Sequence, residues 1–332
     1  MSIRQRPVVG LIGADAALAG MLVEWLHAAG FEPRAAEPAD PGNAALLVRW
    51  PCGADLAGSR VPVVLLVEPR AAVPVEVQRH AVEVVELPDT RDIKSILEWS
   101  KLLISVLRAV TESRGSSAPA CAVTTPLDTK EQRRVAPSLI AIGVSTGGPV
   151  ALQQFFSSVR AATLPPMAIV QHIPPAFLTV LVERLQQQTG YRMQVARDGD
   201  VLRPGIAYFA PGDRHLRLVH EHAQTIARLT DEDPRRGHRP AAEVLFESCA
   251  DLGMRGVGVI MTGMGQDGAQ GLLRLRQIGW ATVGQTESTC AIYGMPRAAK
   301  AAGAVERELP LADIGPFLTM LCKPRSPFEA TK

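Results

Sequence analysis

A chain of 332 residues with 47% hydrophobic side chains is long enough for one large domain or two ordinary ones, and it can fill a sizeable core. Its net charge of +2 leaves no electrostatic footprint for nucleic acid, and 5% aromatic content offers no stacking platform for single strands. The five cysteines (Cys52, Cys121, Cys249, Cys290 and Cys322) form no C-x-x-C pair, which points to a reduced cytoplasmic setting. No apolar run reaches the roughly 18 residues of a membrane helix, so no direct membrane insertion is expected. Residues 1–7 lead into a strand-like run without a secretory h-region.

Residues 1–112 read as a small α/β unit. Val8–Ile12 is a first buried strand. The stretch 16–29 follows as a helix, with Leu18, Leu22, Trp25 and Leu26 at helical spacing and Gly30 as its C-cap. Further strands are predicted at 44–48, 61–67 and 82–87, and a long amphipathic helix at 93–110. Strands alternating with helices imply a parallel sheet covered on both faces.

This order resembles a response-regulator receiver domain, which implies a flavodoxin-like fold. The receiver's functional residues do not carry over. The acidic pair that holds magnesium is reduced to Asp15 in the turn Gly13-Ala14-Asp15. The third strand ends in Val48, Arg49 and Trp50 rather than in a phosphoacceptor aspartate. The fourth ends near Val67-Glu68 without the expected hydroxyl, and Leu87-Pro88 stands where a lysine before proline belongs. A degenerate receiver with no phosphoacceptor and no metal site is the expectation. Asp15 reads as a helix N-cap, and Asp55 lies in a Gly/Pro-rich loop.

Residues 113–136 are rich in Ser, Thr, Pro and charge and lack periodicity, the signature of a flexible linker. Arg133-Arg134 within them reads as solvated linker charge. Residues 137–323 form a second α/β domain, expected as a doubly wound, mainly parallel sheet. Its strands are predicted at 139–144, 167–171, 207–210, 216–219, 256–261 and 281–284, its helices at 150–158, 176–188, 241–252 and 269–277. A hairpin-like insertion is expected near 208–229, and the polar tail 324–332 reads as disordered.

The strand at 139–144 breaks at glycines around one serine, and Pro149 opens a helical pattern. Gly143-Val144-Ser145-Thr146-Gly147 fits the G-x-S-x-G form of a nucleophile elbow. Ser145 is therefore either a nucleophile or a helix cap. A nucleophilic serine needs a base, and the base needs an orienting acid. The segment Gln171-His172-Ile173-Pro174-Pro175 directly follows the apolar run 167–170; the carboxyl ends of parallel strands share one rim, so His172 would sit at the same rim as Ser145, unless it is a structural strand-end histidine. His215, His220, His222 and His238 are weaker candidates, of which His238 precedes a helix and could line a cleft; none has zinc-site spacing. For the acid, Asp267 lies in Thr262-Gly263-Met264-Gly265-Gln266-Asp267-Gly268, whose glycines let backbone N–H groups converge on an anion. Its alternative role is to cap the helix from Ala269; Asp200 and Asp213 compete as acids in glycine-rich turns. No dinucleotide or Walker motif is present.

Read together, these segments resemble the catalytic domain of CheB-type chemotaxis protein-glutamate methylesterases. The matches are IAIGVSTGG (140–148), VQHIPP (170–175), DGD (198–200), PGIAYFAPGDRHL (204–216), HRP (238–240), TGMGQDGA (262–269) and YGMP (293–296), in the family's order. The chain order Ser, His, acid differs from the α/β-hydrolase order, so G-x-S-x-G alone points to the wrong superfamily. The resemblance implies Ser145 as nucleophile, His172 as base, Asp267 as orienting acid, a backbone N–H at Met264 for the oxyanion, and Thr146 at the site rim. It implies hydrolysis of glutamate γ-methyl esters on the cytoplasmic helices of methyl-accepting chemotaxis receptors, with receptor-glutamine deamidation as a second reaction and no cofactor. The first domain would then dock a chemosensory histidine kinase or scaffold. A serine esterase for small esters, or a catalytically silent docking module, are the alternatives.

Overall fold

The computed structural model describes residues 6–38, 40, 42–52, 55–57, 59–68, 71, 73–88, 93–112, 136–159, 164–173 and 175–323. The chain divides into two compact units, Met1–Ala118 and Pro119–Lys332. The expected linker (bar residue 136) and the expected tail lie outside the described residues.

The first unit runs β1 (Val8–Ile12), α1 (Ala16–Ala28), β2 (Glu32–Ala35), β3 (Ala45–Arg49), β4 (Val63–Val67), α2 (Val75–Gln78), β5 (Ala81–Glu86) and α3 (Ile93–Glu112). Its sheet is parallel, in the order β2-β1-β3-β4-β5. That is the flavodoxin-like doubly wound order. β4 reads VVLLV and is buried throughout, as a central parallel strand covered on both faces must be. Leu18, Leu22 and Leu26 recur every four residues and form the buried stripe of α1. Trp99 of α3 donates its indole N–H to Glu86 O at 2.7 Å, tying the last helix to the last strand.

Asp15 is the N-cap of α1 and accepts the Leu18 N–H at 2.9 Å. That bond, with the adjacent Arg49 charge, holds its carboxyl below the usual range. Arg49, at the end of β3, pairs with Asp15 at 2.5 Å and with Glu68 at 3.2 Å. A guanidinium thus stands between the acids at the carboxyl edge of this sheet. Asp55 closes its own loop, accepting the Ala57 N–H at 2.9 Å.

The second unit runs β6 (Ile140–Val144), α4 (Gly148–Ser158), β7 (Met167–Gln171), α5 (Pro175–Thr189), β8 (Arg192–Val195), β9 (Ile206–Phe209), β10 (His215–Glu221), β11 (Gln224–Thr230), α6 (Ala242–Ala250), β12 (Val257–Ile260), α7 (Ala269–Gln277), β13 (Ala281–Gln285), α8 (Met295–Ala301), β14 (Arg307–Leu309) and α9 (Leu311–Leu321). Seven strands pair in parallel in the order β14-β13-β12-β6-β7-β9-β8. Alternation along β6 sorts the two faces. Ile140, Ile142 and Val144 pack with α4, α5 and α9, whereas Leu139 and Ala141 pack with α6 and α7. Each fully buried aliphatic side chain in these layers contributes about 1.5–3 kcal/mol.

The predicted insertion near 208–229 is narrower than expected. Tyr208 belongs to the central sheet, and the hairpin is β10–β11, closed by His222 and Ala223 at positive φ. β2, β8 and β14 escape a periodicity reading because they are edge strands of three or four residues with polar positions.

Candidate active site

β12, β6 and β7 are neighbours at the centre of the second sheet. From β6 the sheet runs through β7, β9 and β8 on one side and through β12, β13 and β14 on the other. The strand order reverses beside β6, and ligand crevices form outside the carboxyl ends of strands at such a reversal. Three loops leave that edge: Ser145 follows β6, His172 follows β7, and the segment holding Met264 and Asp267 follows β12. Register brings Val144 opposite Gln171 and Ile260 opposite Gly143. The His172 N–H donates to Val144 O at 3.1 Å, which sets the base candidate next to the serine's strand.

His172 and Asp267 are joined directly, with Nε2 2.9 Å from Oδ2. The His172 Nδ1 is buried and has no hydrogen-bond partner among the described residues. Asp267 is only 2% exposed. Its Oδ2 also accepts the Ala242 N–H at 2.6 Å and its Oδ1 the Glu243 N–H at 3.0 Å. Both N–H groups belong to the first turn of α6, which has no side-chain cap of its own. Asp267 therefore caps α6, not the helix from Ala269 that follows it, whose N-cap is Gly268. Burial pushes the Asp267 carboxyl up. The His172 bond and charge and the two helix N–H groups outweigh that, and the net shift is downward.

Ser145 is not a helix cap either: α4 begins at Gly148, its N-cap is Gly147, and no side chain closes its first turn. The Ser145 N–H donates to Thr262 O at 3.0 Å, and its carbonyl accepts the Gly148 N–H at 2.8 Å. Its hydroxyl makes no hydrogen bond among the described residues. Both the serine oxygen and the His172 Nδ1 are thus uncommitted. Serine–base hydrogen bonds commonly close only once substrate is seated.

Gln171, a residue the motif reading passed over, ties these loops together. Its Nε2 donates to Ser145 O at 3.0 Å and to His172 O at 2.9 Å. Its Oε1 lies over Gly148, where an added Cβ would overlap it. Thr262 acts similarly: its Oγ1 donates to Thr146 O at 3.0 Å and accepts the Ile292 N–H at 3.0 Å, while Gln285 Oε1 accepts its N–H at 2.9 Å. Gly263 O accepts the N–H groups of Gly294 and Met295 at 3.1 and 2.8 Å, which gives the Tyr293-Gly294-Met295-Pro296 segment its task of bracing the Met264 loop. Met264 itself is 45% exposed and Thr146 is half-buried, and neither backbone N–H donates to another group among the described residues.

The other sequence candidates fall elsewhere. His215 is fully buried, with Nε2 on Asp233 O at 3.2 Å and Nδ1 accepting the Ala241 N–H at 3.2 Å, so it braces the approach to α6. His222 sits in the hairpin turn. Asp200 closes a turn on the Arg197 N–H at 2.9 Å, and Asp213 is exposed. Two further titratable groups border the site, His238, one of the weaker sequence candidates, and Glu243, which the sequence did not single out. The His238 ring stacks on His172. Glu243 is buried beside Asp267, with burial, then the Asp267 and Glu247 charges, raising its carboxyl.

The family model of the CheB methylesterase matches residues 140–318, a span that holds all of these site residues. This chain belongs to the CheB methylesterase family. It is similar to the protein-glutamate methylesterase/protein-glutamine glutaminase of Agrobacterium fabrum, 47% identical over 194 residues that cover 58% of this chain and 55% of that protein. The protein-glutamate methylesterase/protein-glutamine glutaminase 1 of Dechloromonas aromatica is 38% identical over 243 residues, 70% of this chain and 68% of that one. The matches thus span about half to two thirds of the length of these CheB relatives. Among solved structures, the CheB methylesterase catalytic domain of Thermotoga maritima superposes with a TM-score of 0.54 at 31% identity, covering 56% of this chain and 100% of that domain.

Proposed function

We propose that this chain is a serine hydrolase that removes the methyl groups of glutamate γ-methyl esters on the cytoplasmic helices of methyl-accepting chemotaxis receptors. The observation that carries the reading is the state of His172. Nε2 is committed to Asp267, while Nδ1 is buried, unpartnered and one strand from Ser145. In this scheme Nδ1 takes the Ser145 proton as Oγ attacks the ester carbonyl. Asp267 keeps the proton on Nε2 and stabilises the imidazolium. The N–H groups of Met264 and Thr146 serve the tetrahedral oxyanion. The imidazolium returns its proton to the departing methoxide, so methanol leaves an acyl-enzyme. Water, deprotonated by His172, then frees the glutamate and Ser145. With a glutamine side chain the leaving group is ammonia and the remaining steps are unchanged. The names of the relatives and the setting of the site in the sheet support this reading.

Methanol release from a methylated receptor tests it. Ser145→Ala is expected to lose activity by about 10⁴-fold or more, as loss of a nucleophile does; release at the wild-type rate would remove Ser145 from that role.

The first unit fits a receiver-like docking module, taking a chemosensory histidine kinase or scaffold as partner in the cytoplasm. Arg49, paired with Asp15 and Glu68, stands where an acceptor aspartate and a bound cation would be needed. A small-molecule phosphodonor with Mg²⁺ should leave methanol release unchanged; strong activation would show an acceptor elsewhere.

A further inference from the structure

One face of the His172 ring is covered by a second histidine. The centroids of His172 and His238 lie 4.0 Å apart, and the ring planes differ by 7°. The chain spends conformational energy to put His238 there. Arg235 and His238 exchange N–H···O=C bonds in both directions, at 3.0 and 2.9 Å. Arg236 and Gly237 between them have φ of 52° and 83°. Two central residues at positive φ define the tightest hairpin turn, and arginine adopts that conformation at a cost that glycine avoids.

Both ends of the segment are anchored. Arg239 donates to the carbonyls of Asp231 and Glu232, each at 3.3 Å, and Arg235 pairs with Glu247 at 3.4 Å. Three residues beyond His238, the Ala241 N–H is held by His215, and the next two N–H groups are held by Asp267. The stacked ring and the acid of the site are therefore fixed to one short stretch of chain.

A single hydrogen bond fixes one atom of an imidazole but not its plane, because the torsion about the bond to the ring is broad. We propose that His238 is a positioning residue for His172: its flat ring sets the plane of the base, which leaves Nδ1 available to Ser145 while Nε2 stays on Asp267. This rests on the hydrolase reading above. The charged and titratable groups around His238 are His172, stacked on its face, and Asp267, whose charge also acts on it, with Arg235, Arg236 and Arg239 on its own segment. Burial, then the His172 charge, favours neutral His238 over the opposing pull of Asp267. A neutral aromatic face beside His172 accommodates the imidazolium that forms during the reaction.

The test compares His238→Ala, His238→Leu and His238→Phe in the full chain. Misplacing a base by a fraction of an ångström lowers turnover, so the alanine and leucine variants should lose about tenfold in kcat with KM little changed. Phenylalanine restores a flat face without a titratable group and should recover kcat to within about threefold. ¹⁵N spectra of the His172 ring give a readout independent of activity. Wild type and His238→Phe should show one tautomer, protonated at Nε2, and His238→Ala averaged signals at both nitrogens. Wild-type kcat together with a single His172 tautomer in His238→Ala would overturn the proposal, as would a phenylalanine variant no better than leucine. The leucine and phenylalanine variants keep the site filled, so this comparison stands even where alanine destabilises the fold. Retained activity in Ser145→Ala would instead defeat the hydrolase reading, and the ring spectra would still decide the role of His238.

Discussion

The Asp267 carboxylate accepts the backbone N–H of Ala242 at 2.6 Å, across 25 residues of sequence. The same oxygen lies 2.9 Å from His172 Nε2. One side chain therefore closes a helix and orients the base candidate. The helix N-terminus in turn favours the anionic carboxylate that an imidazolium needs beside it.

Asp267 consequently has two separable functions. Asp267→Asn keeps an amide oxygen for a helix N–H but presents the wrong partner to His172. Activity should fall by about 10⁴-fold with a small change in stability. Asp267→Ala should lose activity and also about 1–2 kcal/mol of stability, because the first turn of α6 is left open. Urea unfolding beside methanol release checks both. Equal stability of the two variants would show that the cap carries no weight.

Gln171 and Gly148 should behave as a coupled pair. Gln171→Ala strips a donor from the carbonyls of Ser145 and His172, at a cost of about 1–3 kcal/mol. Gly148→Ala drives a methyl group into the Gln171 amide. The double variant should be less destabilised than the sum of the two single ones, since the overlap vanishes with the glutamine. Additive unfolding free energies would mean that the contact is relieved at no expense to the fold.

His215 should make the fold sensitive to mild acid. Burial, the largest cause, holds its pKa below the ordinary 6.5, and the Asp233 carbonyl and Glu232 only partly oppose it. The unfolded chain then takes up the proton first as pH falls. The contribution of His215 to stability is complete above about pH 6.5 and declines as pH drops toward the lowered folded value. The urea midpoint of the wild type should fall more between pH 7.5 and 5.5 than that of His215→Gln. Parallel declines would exclude His215 as the sensor.

Much of the frame is legible in the residues. The strand at 140–144 is an unbroken apolar run ending at glycines, and His172 closes a second such run. A buried parallel strand requires that pattern, and two parallel strands of one sheet end on the same edge. The helix stripes of Leu18, Leu22 and Leu26 are equally plain. Short edge strands such as Arg307–Leu309 carry too few residues to show a period.

What the sequence by itself determined is which residues stand at strand ends: periodicity places Ser145, His172 and Asp267 on loops after apolar runs. It left open whether Ser145 and Asp267 cap the helices that follow them, because a cap and a catalytic group use the same side chains. Tertiary structure decided that. Pairing β12 beside β6 carries Asp267 to His172, and the packing of α6 brings it the two N–H groups it closes. A tight turn at Arg236-Gly237 lays His238 flat on His172. These relationships join residues tens of positions apart, and local propensity carries no information about which distant partners a folded sheet makes neighbours.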